Sequence, residues 1–171
     1  MLTSINIFGG PGTGKSTTAA HVFAELKRTG KNAELSVEYA KSRVYEEHWS
    51  IFPDQVYIFA QMLRQYHRVE DKVDYMVSDS PLLLSAVYAR WHGIRYTSLE
   101  PLIVEAANSY NNINILLQRT VGYQEDGRTQ NANEAEQLDR ITQEVLSRYD
   151  QPVVTLPVDD TTVPRILALV P

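Results

Sequence analysis

The chain has 171 residues, with 16 Lys and Arg against 21 Asp and Glu, for a formal net charge of −5. That length suits one domain of roughly 100–200 residues, and the acidic balance argues against a general nucleic-acid coat, although a local basic groove would survive it. The absence of cysteine excludes disulfides, thiolate-ligated metals and thiol catalysis, and no apolar run approaches the ~18 residues of a membrane helix. The opening MLTSINIF has no basic n-region, so no signal peptide is expected. One cytoplasmic domain over 1–171, with no membrane partner, is the expectation.

The first strand is expected at Ser4–Phe8 and leads straight into GGPGTGKS at 9–16. That octet satisfies G-x-x-x-x-G-K-[ST] with Gly9, Gly14, Lys15 and Ser16 at the fixed positions. Gly10, Pro11, Gly12 and Thr13 complete the loop. Ala19, Val22, Phe23 and Leu26 then recur at i, i+3, i+4 and i+7, so a helix follows. A strand, a glycine-rich loop and a helix N-terminus aim several backbone N–H groups at one point, which suits a phosphate. In this P-loop reading, residues 9–17 bind ATP with Mg²⁺. Lys15 brings a mobile charge to the β- and γ-phosphates, Ser16 ligates the metal, and Thr17 lies near the α-phosphate.

The second strand is expected at Ala33–Glu38. Carboxyl ends of parallel strands border the ligand crevice, so Glu38 is assigned as general base or acceptor-orienting carboxylate, with capping of the next helix as the plain alternative. In EYAKSR, Tyr39, Lys41 and Arg43 are acceptor-side candidates, a solvated face being the simpler reading of the two cations. Phe59, Met62, Leu63 and Tyr66 mark a helix in DQVYIFAQMLRQYHR. Its polar border would present Tyr57, Gln61 and Arg64 to the acceptor. A side-chain amide matches a nucleobase edge because it both donates and accepts; the alternative is a polar flank on a core helix.

The third strand, Tyr75–Asp79, ends beside the loop, so Asp79 is assigned to hold Mg²⁺ through water or to touch the acceptor. It could at the same time cap the helix opened by Pro81. Leu82–Trp91 is apolar almost all round and reads as a deeply packed helix. After the fourth strand, Ile113–Gln118, the polar stretch Thr120–Asn133 is about fourteen residues, longer than most connections. It reads as a lid over about 119–133, with Arg119 and Arg128 as clamps on phosphoryl oxygens. A helix over Glu134–Tyr149, with Leu138, Ile141, Val145 and Tyr149 inward, and a fifth strand at Val153–Leu156 complete the chain. His21, His48, His67 and His92 have no metal-binding spacing and read as structural or surface residues.

Strands alternating with helices predict an α/β three-layer sandwich: a five-stranded parallel sheet in kinase-type order, helices on both faces and an Arg-bearing lid. Motors, switches and kinases all use a P-loop. No N-K-x-D for guanine occurs, Asp79 is followed by Ser80 rather than by a water-activating Glu, and the length leaves little room for an added helical domain. A small nucleoside or nucleotide kinase remains, acting as a monomer or homodimer. The alternative from another class is a non-catalytic nucleotide switch or a partner-dependent ATPase.

The order of parts resembles the thymidylate-kinase-like P-loop kinases, and more closely the compact ribosylnicotinamide-kinase type. The matching pieces are GGPGTGKS, VEYAKSR, QVYIFAQMLRQY before VDYMVSDSP, and ILLQRTVGYQEDGRTQ followed by EAEQLD. The resemblance implies kinase roles for Lys15, Ser16, Glu38, Asp79 and Arg128. Thymidylate kinases read Asp-Arg-Tyr where this chain has Asp79-Ser80-Pro81. The lid, GR-x-Q then EA-x-x-x-D, is similar to that of small bacteriophage kinases that phosphorylate 5-hydroxymethyluracil in DNA. That likeness implies this acceptor and a host-cytoplasmic location; nicotinamide riboside and a deoxynucleoside monophosphate are the other acceptors implied.

Overall fold

Five parallel strands, β1 (Thr3–Phe8), β2 (Ala33–Ser36), β3 (Tyr75–Ser78), β4 (Asn111–Gln118) and β5 (Val153–Pro157), stand in the order β2-β3-β1-β4-β5. The structure, a computed structural model, describes residues 1–40, 43, 46–47, 49–93, 95–119 and 131–171, with 49 as backbone only. The helices are α1 (Lys15–Arg28), α2 (Gln55–His67), α3 (Leu84–Trp91), α4 (Leu99–Asn108), α5 (Ala132–Arg148) and α6 (Thr162–Leu167). Among the described residues, no helix is long and apolar enough to cross a membrane.

Central strands of a parallel sheet are covered on both faces and read as continuous runs. Accordingly, every residue of β1 and of β3 is buried. Ile5, Ile7, Val77 and Ile115 face Ala19, Val22 and Leu26 of α1 and Ile166 of α6. On the opposite face Phe8 and Met76 meet Met62 and Tyr66 of α2, Ala86 of α3, Ile103 of α4 and Leu138 and Val145 of α5. These two layers around the sheet are the expected three-layer sandwich. At the edge, β5 leaves Val153, Val154 and Thr155 exposed.

The second face also buries polar groups, because Ser4, Asn6, Asn112 and Asn114 alternate inward with Phe8 and Leu116. They satisfy one another. Ser4 Oγ donates to Asn6 Oδ1 at 2.7 Å, and Asn6 Nδ2 donates to Asn112 Oδ1 and Asn114 Oδ1, each at 2.8 Å. Tyr66 Oη lies 3.1 Å from Ser4 Oγ. A second buried polar cluster joins three helices: Arg90 of α3 pairs with Glu100 of α4, and Tyr149, just past α5, donates to Glu100 Oε1 at 2.6 Å.

All five expected strands form, with adjusted ends. β2 stops at Ser36, opposite Ser78 of β3, so Glu38 lies past the strand rather than ending it. The long helices hold, with α3 starting at Leu84 instead of Leu82. Residues 81–83 make i→i+3 turns (Leu84 N–H to Pro81 O, 2.8 Å; Ser85 N–H to Leu82 O, 3.0 Å). Asp79 therefore does not cap α3. Two helices were not anticipated. In α4, Leu99, Ile103 and Ala107 are buried at i, i+4 and i+8, and Pro101 is tolerated because first-turn N–H groups have no intrahelical partner. α6 is a single short helix with Pro164 likewise near its start.

Candidate active site at the carboxyl edge of the sheet

The chain leaves β1 through the loop at 9–14 and enters α1 at Lys15. Gly14 is the N-cap, with φ 84°, and provides no capping side chain. A residue with a Cβ would be strained there. The first helical turn therefore keeps its orphan N–H groups for an outside acceptor, the condition for anion binding at a helix N-terminus. Ser16 and Thr17 are exposed at that turn.

Lys15 is partly buried, and its Nζ donates to Gly10 O at 3.0 Å. Desolvation holds its pKa below the ordinary lysine value, while Glu38, Asp79 and Asp139 work in the opposite direction. The charge of the Arg119 guanidinium adds to the effect of desolvation. Asp79, one residue beyond β3, is 3% exposed. Its Oδ1 accepts the backbone N–H of Glu38 at 2.9 Å. The ends of two adjacent strands are thus tied together, and Glu38 is placed at the Lys15 side of the sheet edge.

The acceptor side is less as expected. Tyr39 and Tyr57 meet edge-on, ring centroids 5.8 Å apart, with their hydroxyls 3.0 Å from each other. Arg43 lies over the Tyr39 ring at 4.9 Å and pairs with Glu46 at 2.5 Å, so the structure ties it to the protein itself. Gln61 is half-buried and Arg64 exposed, on the same side of α2 as Tyr57 at i+4 and i+7. The amide that fastens α2 to the site is instead Gln65. Its Oε1 accepts from Ser36 Oγ at 3.0 Å and its Nε2 donates to Val37 O at 3.1 Å, immediately before Glu38. The sequence contained a hint of this, since Gln65 adjoins the Met62–Tyr66 stripe.

Arg119, one residue past β4, reaches back to the loop: Nη1 donates to Pro11 O at 2.8 Å and Nη2 to Asp139 Oδ2 at 3.1 Å. Asp139 was not anticipated as a site residue. Arg128, Lys41, His48 and the body of the expected lid, 120–130, lie outside the described residues. His21, His67 and His92 are exposed.

No group of three or more His, Cys, Asp or Glu side chains suited to a metal occurs among the described residues. A nucleotide-bound Mg²⁺ does not require one, because it keeps several waters and takes one or two protein oxygens beside the phosphates. The Ser16 hydroxyl and the Asp79 carboxylate are hard oxygen donors of the right kind, so the residues fit that ion.

A five-stranded parallel sheet with this cradle at its central strand defines a P-loop nucleotide-binding α/β protein. The family model described as an AAA domain matches residues 4–163, and the chain belongs to that family. No curated protein matches it. Among solved structures it is similar to NadR protein in complex with NR (TM-score 0.63, 20% identity, 93% of this chain and 46% of that one). It is also similar to NadR with NAD and AMP-PNP (TM-score 0.64, 18% identity, 98% and 48%). A third likeness is to deoxyadenosine kinase from M. mycoides with bound dATP (TM-score 0.58, 19% identity, 96% and 97%). The chain spans about half the length of the NadR chains. At these identities the likeness is one of fold.

Proposed function

We propose that the chain is a P-loop phosphotransferase that moves the γ-phosphoryl of ATP to a hydroxyl of a nucleoside-type acceptor. The observation that carries this reading is that Asp79, buried one residue past β3, holds the Glu38 backbone N–H at 2.9 Å, which brings two acidic residues to the strand ends next to the loop that carries Lys15. A nucleotide-binding switch needs a lysine and a metal-side carboxylate. A second carboxylate on the neighbouring strand end is what an acceptor hydroxyl requires. The fold likeness to NadR and to deoxyadenosine kinase supports the same class.

In this reading the first turn of α1 and Lys15 hold the triphosphate, and Ser16 and Asp79 would hold Mg²⁺, whose charge would offset that of the phosphate oxygens. Glu38 takes the proton of the acceptor hydroxyl. The acceptor oxygen bonds to the γ-phosphorus as the bond to the β–γ bridging oxygen breaks, and the nucleoside diphosphate leaves. Arg119 holds the loop at Pro11 O, and Arg128 is assigned to the lid that excludes water, because an open site would hydrolyse ATP. The enzyme acts as a monomer or homodimer, which gel filtration reads directly.

Within the nucleoside class, the proposed acceptor is 5-hydroxymethyluracil in DNA, on the resemblance of GRTQ and EAEQLD to small phage kinases. A second reading, nicotinamide riboside, is favoured by the likeness to NadR in complex with NR. The experiment is transfer from γ-labelled ATP to a panel: hydroxymethyluracil DNA, matched thymine DNA, free 5-hydroxymethyldeoxyuridine, nicotinamide riboside and deoxynucleoside monophosphates. Label confined to the hydroxymethyl DNA establishes the first acceptor, and label in a small molecule replaces it. ATP turnover that never labels a hydroxyl overturns the kinase reading in favour of an ATPase.

A further inference from the structure

Position 10 is one of the variable places in G-x-x-x-x-G-K-[ST], yet it holds glycine. Backbone conformation does not explain this, since Gly10 is not among the positive-φ glycines. Its surroundings do. A Cβ there would collide with Asp139 Oδ1 and lie 2.8 Å from Asp139 Cγ and 3.1 Å from Ala135 O. Ala135 and Asp139 are four residues apart, on one face of α5, and the loop rests against that face.

The contacts form a closed ring. Gly10 N–H donates to Asp139 Oδ1 at 2.6 Å, Arg119 Nη2 donates to Asp139 Oδ2 at 3.1 Å, and Arg119 Nη1 returns to Pro11 O at 2.8 Å. Both carboxylate oxygens are thus engaged by different parts of the site. The carbonyl of Gly10 meanwhile accepts from Lys15 Nζ at 3.0 Å and from Thr13 Oγ1 at 2.9 Å. The residue whose N–H is held by Asp139 also anchors the lysine.

We infer that Asp139 is a positioning residue of the phosphate site, fastening the outer turn of the cradle and the Arg119 guanidinium to α5. The inference rests on the nucleotide-binding reading above. Its signature is a sign. A carboxylate beside a triphosphate repels it, so replacing Asp139 by a neutral isostere would tighten binding if charge alone mattered. A positioning role reverses that sign, because Arg119 and the loop lose their common anchor.

The test titrates a fluorescent ATP analogue into the full chain, as wild type and as the K15A, D139N, G10A and G10A/D139N variants. It is paired with kcat and KM from the phosphate-transfer assay. Asn keeps an acceptor for Gly10 N–H, and thermal melts confirm that each variant is folded. D139N and G10A should each weaken nucleotide binding roughly tenfold, and the double variant should be no worse than either, because both release Arg119 from the Asp139 carboxylate, D139N by removing its charge and G10A by displacing it. KM for ATP should rise while KM for the acceptor stays. Tighter or unchanged binding in D139N, or additive losses in the double variant, overturns the role of Asp139 and leaves the nucleotide site standing, provided wild type binds and K15A does not. Failure of wild type to bind ATP overturns the site reading and this inference together.

Discussion

The carboxylate of Asp79 accepts the backbone N–H of Glu38 at 2.9 Å. One acidic residue thereby places another, across the gap between two strand ends. Because the donor is backbone, the side chain of Glu38 can be changed without breaking the contact. The two residues can therefore be tested separately.

Glu38→Gln should lower kcat by about 10²–10⁴, the usual worth of a general base, while the ATP dissociation constant stays near that of wild type. Single-turnover transfer and equilibrium nucleotide binding, measured on the same preparation, check this. An equal loss in both would assign Glu38 to nucleotide binding instead.

Lys15→Ala should abolish nucleotide binding, since it removes the one mobile charge of the cradle. Burial depresses the Lys15 pKa below the ordinary value. The charged amine is what phosphates need, so affinity should fall as pH rises through that depressed pKa, earlier than for an ordinary lysine. A binding titration across alkaline pH reads the midpoint, and the K15A variant supplies the baseline.

Glu100 is 6% exposed and bound by Arg90 and Tyr149. Burial works to raise its pKa, but the two donors prevail and hold it below the ordinary carboxylate value. A depressed folded pKa gives stability that is present above the unfolded pKa and lost as pH falls through the folded one. Glu100→Ala should cost about 3 kcal/mol by leaving Arg90 partly buried without its partner. For a domain of this size that is a fall in Tm of about 6–12 °C. In wild type, the corresponding loss should appear on acidification, and it should be absent from the variant.

Asn6→Ala should destabilise by about 2–3 kcal/mol, because Ser4, Asn112 and Asn114 each lose a buried partner. Tyr66→Phe, which removes one hydroxyl from the same cluster, should cost about 1 kcal/mol. Urea unfolding at fixed pH separates the two, and the difference should persist in high salt, since no member of the cluster is charged.

Much of the framework is legible in the chain alone. The strands at 4–8 and 75–79 are short, largely apolar segments whose neighbours switch to a 3.6-residue period, and the loop between β1 and α1 is a contiguous motif. The helix α4 escaped notice because Glu100 and Pro101 interrupt its apolar face near the start. The role of Glu100 becomes intelligible only when Arg90 and Tyr149 arrive from other elements. Gln65 escaped for a similar reason: its partners, Ser36 and Val37, belong to a different strand.

By itself, then, the sequence determined what depends on neighbours in the chain: strand and helix periods, the glycine that caps α1 without a side chain, and the glycine-rich loop between β1 and α1. These follow from local sterics and from the repeat of apolar side chains. The tertiary structure decided what depends on distant partners. It brought Asp139 to Gly10 across 129 positions, turned Arg119 back onto Pro11, and set Asp79 under the Glu38 backbone. A carboxylate or an arginine acquires its role from the donor or acceptor facing it, and only the packing of α5 and of the strand ends against the loop determines which one that is.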